Sequence, residues 1–266
     1  MNHLLRSHAP VPEPTWAVLD EEARKRLVPA LAARRLVDFA GPHGWHYSST
    51  NLGRSASVEA PGPGLEARQR LVLAVAELRA PFSLSRDEIA DIERGATDLD
   101  LSELDIAAHR IAEAENVAVF HGWAAAGITG VAPASTHPKV PLGADYARYP
   151  SLVAGAVGRL REAGVGGPYG LVLGPGGYTG VAETTEHGTL VVFDHLRQIL
   201  DGPVVWAPGV TGAIVLSLRG GDFQFDSGQD LSIGYDHHDG QRVHLYLEES
   251  FSFRTASPEA AVAFTA

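Results

Sequence analysis

The 266-residue chain contains no cysteine. That excludes a disulfide framework, a thiolate nucleophile, an iron–sulfur cluster and a Cys-ligated zinc, so packing and partner contacts must stabilise the fold. Basic residues are also in deficit: 21 Lys+Arg stand against 32 Asp+Glu, for a formal net charge of −11. A general nucleic-acid binder needs a basic patch that displaces phosphate counterions. Only Arg24, Lys25, Arg26 and the pair Arg34, Arg35 cluster, in sequence that reads as ordinary helix, which argues against nucleic acid. Long apolar runs are missing as well. Residues 1–12 carry His3, Arg6 and His8 without the apolar core of a signal peptide. The most lipid-like window, 117–134, is broken by His121, glycines and Pro133, whereas a span needs about 20 mostly apolar residues. A cytoplasmic protein without membrane contact is expected. What is present, 45% hydrophobic residues, suffices for one large domain or two small ones.

Residues 13–33 read as an amphipathic helix, because Trp16, Leu19, Ala23, Leu27 and Leu31 recur every three or four positions; Pro29 should kink or end it. Two strand-like stretches, 45–59 and 69–78, flank the turn residues Pro61, Gly62, Pro63 and Gly64 and read as a long hairpin. Its first limb is poor in aliphatic residues and cannot bury much against its own chain, so it should lie on something else. Ser85 followed by Glu88 is a capping box for a short helix that Gly95 ends, Ser102 opens a longer helix through Val117, and Pro150 marks another. The last third is strand territory. Its clearest strand is 243–253, where Val243, Leu245, Leu247, Phe251 and Phe253 alternate with more polar residues. Helices in the middle and strands at the flanks define an α+β chain without a simple βαβ rhythm.

Catalytic constellations do not assemble. Gly174, Gly176 and Gly180 after the strand-like 170–173, with Asp194 some 20 residues on, imitate a dinucleotide-binding turn, but the pattern predicts no helix of the kind the motif needs, since 181–187 is cut short by Gly188. A dinucleotide-dependent oxidoreductase is therefore a distant alternative. Twelve histidines invite a metal, yet no His-x-x-x-His or His-x-His occurs, and His237 and His238 before Asp239 and Gly240 read as a hairpin tip. There is no Gly-x-Ser-x-Gly elbow. Glu249 interrupts the apolar face of the strongest strand and, if buried, would need a partner, most simply an arginine. The residues point to a non-enzymatic protein, with no catalytic group and no metal site, whose arm and strands seek partners.

Several segments can then be read together: Arg34-Arg35-Leu36-Val37-Asp38, Leu78-Arg79-Ala80-Pro81-Phe82-Ser83-Leu84, Ile92-Glu93-Arg94-Gly95, Gly167-Pro168-Tyr169, Arg219-Gly220-Gly221-Asp222-Phe223, Asp230-Leu231-Ser232-Ile233-Gly234-Tyr235 and Leu245-Tyr246-Leu247-Glu248-Glu249. In this order the chain resembles the family 1 encapsulin shell proteins, once described as linocin-type bacteriocins, to about residue 260. The resemblance implies the Hong Kong 97-type tailed-phage major capsid fold, with residues 1–40 as an N-terminal helical segment, 43–79 as an extended arm, 80–130 and 226–266 as a peripheral domain and 131–225 as an axial domain. It implies self-assembly into a closed icosahedral nanocompartment in the cytoplasm, in the smallest form of the family. The shell would enclose a dye-decolorising peroxidase or a ferritin-like protein captured through a C-terminal targeting peptide. A phage-type major capsid protein is the alternative, disfavoured because the N-terminus begins directly with the encapsulin-like helix and leaves no room for a scaffolding extension.

The same resemblance implies two sites. A cargo peptide would dock in an apolar groove formed with Leu4, Leu5, Arg34, Asp38, Ile233 and Tyr235. Glu186 and His187 would line a pore at the fivefold axis. Flavin, bound by some members through an aromatic residue, is not expected here, because Asp87 occupies the stacking position.

Overall fold

The apolar repeat of Trp16, Leu19, Ala23 and Leu27 produces helix α1 (Glu13–Ala30), which buries all four. In the computed structural model, which describes residues 3–186 and 190–265, Pro29 sits in the last turn of α1 and the Leu31 N–H closes the helix onto the Leu27 carbonyl. After a short strand β1 (Asp38–Ala40), the chain forms the expected hairpin from β2 (Ser49–Val58) and β3 (Ala67–Ala74), in register from Ser49 opposite Ala74 to Val58 opposite Ala67. A register shift between Asn51 and Arg54 contains Gly53 at φ 66°, a conformation that favours glycine. Val58, Leu65, Leu71 and Val72 remain 42%, 62%, 38% and 51% exposed, so the arm finds no apolar cover in its own chain. Its base alone is fastened: the Thr50 and Ser252 hydroxyls lie 2.6 Å apart.

Strand β4 (Ala76–Ser85) leads into α2 (Arg86–Arg94), where Ser85 Oγ accepts from the Glu88 N–H at 3.0 Å and Gly95, at φ 90°, ends the helix. The long α3 (Ser102–Phe120) follows. The middle of the chain holds α4 (Val131–Ala134), β5 (Val140–Pro141), α5 (Tyr149–Glu162), β6 (Tyr169–Leu173), α6 (Pro175–Glu183), β7 (Thr185–Glu186), β8 (Leu190–Val191), α7 (Val192–Leu200), β9 (Val204–Trp206) and β10 (Ala213–Ser217). The strands β11 (Phe223–Ser227), β12 (Ser232–His238), β13 (Arg242–Thr255) and β14 (Ala261–Thr265) complete it.

Apart from the two-stranded pairs β2–β3 and β7–β8, the strands form two five-stranded sheets. One is organised around β13, which pairs β12 and β4 along its first part and β11 along its last, with β1 parallel to β11. The other has the order β5-β14-β10-β6-β9. Residues 261–265 thus pair with β10, from Ala213 opposite Phe264 to Leu216 opposite Ala261, and belong to the sheet of the middle segment rather than to the sheet that contains residues 232–255. Two apolar cores result. One gathers α1, β4, β12, the first part of α3 and Val243, Leu245 and Leu247 of β13; the other gathers α5, α7, the second sheet, the end of α3 and Phe251 and Phe253 of β13.

One local expectation is corrected. The glycine-rich turn does contain a helix: α6 starts at Pro175, directly after Gly174, with proline at its first position where the missing N–H is harmless. With α7 it forms a crossover between the parallel strands β6 and β9. The glycines serve close packing, since a Cβ on Gly174 would lie 2.2 Å from the Val210 carbonyl oxygen and one on Gly180 2.2 Å from the Tyr146 ring. Asp194 falls in the first turn of α7 and not at the strand end a dinucleotide motif requires.

Candidate functional site

Strand β12 leaves one edge unpaired by other strands, and its backbone groups there need partners. The N-terminal residues supply them: the Tyr235 N–H donates to the Leu4 carbonyl at 2.9 Å, and Arg6 Nε donates to the Ile233 carbonyl at 2.8 Å. Arg6 also grips Asp20 of α1 through two hydrogen bonds, 2.8 and 2.6 Å, with its guanidinium 4.6 Å from the Trp16 ring. His3 stacks on Trp45 at 3.9 Å, with Nε2 3.0 Å from Glu248 Oε1, so the same strap reaches the base of the arm.

Between the strap, α1 and β12 runs a groove of about 520 Å³ with an apolar lining from Leu4, Leu27, Val28, Leu31, Ile233 and Leu247. Arg6, Asp20 and Arg24 bound it in part; Arg34 and Asp230 also line it. An apolar trough with a few charged anchors suits an extended peptide carrying aliphatic side chains.

Arg34 uses each guanidinium nitrogen on a different acid: Nε to Glu115 at 2.7 Å, Nη1 to Asp230 at 2.6 Å and Nη2 to Glu249 at 2.9 Å. The arginine partner expected for Glu249 is thereby identified. Burial opposes the charge on Arg34, but attraction to Glu115, Glu249 and Asp230 outweighs it and holds the guanidinium above its already high range. Burial raises the Glu115 carboxyl above its ordinary value against the pull of Arg34. Glu249 is pushed well above, by burial first and then by the charge of Glu115.

The structure brings Leu4, Arg34 and Ile233 into this groove. Tyr235 stands behind it, 8% exposed, holding Leu4 through its backbone. Leu5 is 36% exposed at φ 51° and does not line the groove. Nor does Asp38: it accepts from the Gly221 N–H at 2.6 Å, in a separate cleft with Arg35 and Phe223, because the chain turns away after Leu36 to form β1. Leu27, Leu31 and Asp230 were readable as groove residues from the α1 stripe and the Asp-Leu-Ser-Ile-Gly-Tyr segment; Glu115 carried no sequence signal. Glu186 pairs with Leu190 in the small β7–β8 hairpin, and His187 lies outside the described residues.

A long uncovered arm, a helix-packed sheet around β13 and a second compact sheet define a capsid-type shell protomer. The virus-like particle from Pyrococcus furiosus has the same fold, with a TM-score of 0.64 at 16% identity over 94% of this chain and 97% of that one. A phage-related protein from Bordetella bronchiseptica RB50 superposes at a TM-score of 0.57 with 10% identity, covering 97% and 98%. The fold is that of the tailed-phage capsids of Hong Kong 97 type.

Residues 1–252 match the family described as "Encapsulating protein for peroxidase". The type 1 encapsulin shell protein of Rhodospirillum rubrum is 48% identical over 268 residues, covering 98% of this chain and 96% of that one. The Mycobacterium tuberculosis protein of the same name is 41% identical over 265 residues and the full length of both. The chain belongs to the type 1 encapsulin shell protein family, whose members are structural proteins and not enzymes.

Proposed function

We propose that this protein builds an encapsulin nanocompartment in the cytoplasm, the smallest icosahedral form of the family, and that the groove beside α1 captures a cargo enzyme by its C-terminal targeting peptide. The observation that carries the reading is the apolar groove itself, open beside Leu27, Leu31 and Ile233 and bounded by Arg34 and Asp230. The exposed Leu71 and Val72 of the arm support its placement across a neighbouring subunit, a heterologous contact that closes under rotation. Of the two cargo classes, the description of the matched family favours a peroxidase over a ferritin-like protein. Asp87, exposed in the first turn of α2, offers no ring to stack on a flavin, so a cargo-free shell should show no flavin absorbance. Glu186 and His187 remain the proposed pore residues; His187→Ala should abolish a pH dependence of solute entry near pH 6.5.

The test is electron microscopy of shells co-expressed with a fluorescent protein bearing a leucine-containing C-terminal peptide. Uniform hollow spheres that retain fluorescence are expected, with retention lost in Ile233→Asp. A monomer or dimer at all concentrations and salts overturns the shell. Full retention by well-formed Ile233→Asp shells overturns the groove.

A further inference from the structure

Three segments pass from one apolar core into the other within a few residues, and a charged side chain stands at each passage. After α1 the chain leaves the first core at Leu31 and enters the second at Ala32 and Ala33, just before Arg34. Helix α3 contributes Ala112 to the first and Ala118 to the second, with Glu115 between them. Strand β13 contributes Leu247 to the first and Phe251 to the second, with Glu249 between. We propose that Glu115 and Glu249 share one proton, and that this proton locks Arg34 into the joint between the two cores.

Charge counting leads there. One guanidinium faces three carboxylates, of which Asp230 is 42% exposed and solvated while Glu115 and Glu249 are 0% and 1% exposed. With every acid ionised, the joint holds two uncompensated negative charges, one of them out of reach of water. Isolated buried carboxylates avoid that state by binding a proton. The hydrogen bonding agrees. Each acid spends Oε2 on Arg34, and both remaining Oε1 atoms are buried with no donor from the surrounding protein groups. The two carboxyls bind Nε and Nη2 of one guanidinium, which gathers them at a single group, and a proton held between them would give the two orphaned oxygens the donor they lack. Burial pushes both carboxyls up, and the proton belongs to the pair rather than to either residue. The other groups that face the guanidinium are Asp230 of the segment before β12 and the rings of Phe39 on β1 and Phe225 on β11, 5.1 and 5.6 Å away. Neither ring can neutralise a second carboxylate.

The sign of the pH response follows. The folded joint keeps a proton that an unfolded glutamate, at its ordinary value of 4.5, has released, so the stabilisation is complete below that value and is lost as pH rises through the raised value. The lock therefore opens on the alkaline side.

Assembled shells of wild type, Glu249→Gln and Glu115→Gln, compared at fixed protomer concentration, test this. The wild-type thermal midpoint should fall between about pH 5 and 9, while the Glu249→Gln curve is flatter and lies above wild type at the alkaline end. Infrared spectra of wild-type shells at neutral pH should show the carbonyl band of a protonated carboxyl, and Glu249→Gln should lack it. Parallel melting curves, or no such band in wild type, overturn the proposal. Should the glutamine variants fail to assemble, the wild-type spectrum decides alone.

Discussion

Replacing Arg34 by methionine keeps the side-chain length and apolar stem while removing the one cation that Glu115 and Glu249 share. The two acids cannot remain ionised at 0% and 1% exposure, so the variant must protonate both. If wild type already carries one of these protons, the variant has to bind one more. Raising a carboxyl from its ordinary 4.5 to protonation at pH 7 spans about 2.5 pH units at about 1.4 kcal/mol each, hence about 3.5 kcal/mol. That lies within the 3–5 kcal/mol, roughly, found when one partner of a buried ion pair is removed. Asp230, half in solvent, adds little. At pH 5 the same protonation spans only about half a unit, and the loss shrinks to about 0.7 kcal/mol. Equilibrium urea unfolding of wild type and Arg34→Met, in parallel at one protomer concentration and at both pH values, reads these differences. A loss under about 1 kcal/mol at pH 7, or equal losses at the two pH values, would refute the reasoning.

Two further outcomes follow from packing. Phe251 is fully buried with its ring 4.7 Å from that of Phe225; Phe251→Ala should destabilise the protomer by about 3–5 kcal/mol, read as a lower denaturation midpoint. In the arm, Leu71→Asp with Val72→Asp changes only exposed positions, so the protomer's circular dichroism and unfolding should match wild type while sedimentation shows no closed shells. Intact shells from that double variant would remove the arm from the assembly contact.

Where local signals and packing agree, the sequence was a sound guide. The α1 stripe, the Ser85 and Glu88 cap, the Gly95 stop and a long strand at β13 are all in place, but β13 is buried on both faces from Leu245 to Phe253, so the polar positions that alternate with its apolar ones are covered too. The need of Glu249 for an arginine was legible because a carboxylate in an apolar face has few other resolutions. Glu115 was not legible: on α3 it looks like one more helix acid, and only the approach of residues 33–35 to that helix makes it a ligand of Arg34. Helix α6 was missed because three glycines within Pro175–Glu183 give poor intrinsic propensity; it forms because Val181 is buried and Tyr146 needs the flat face that Gly180 provides. Asp38 entered the groove set only through the family resemblance, and no local signal in the sequence showed that β1 leads it off toward Gly221.

Strand β13 runs 14 residues, and its two halves belong to different cores. It acts as a rigid ruler for angle: β4 and β12 flank one half, β11 flanks the other, and any bend between them tilts one core against its neighbour. In a monomer a tilt of a few degrees would be harmless. In a closed surface built from copies of one chain, the same tilt recurs in every copy and accumulates around each axis until the rim fails to meet. In such a surface the course of one strand would bear on the curvature of the whole particle, and the midpoint of that strand carries the buried acids Glu248 and Glu249.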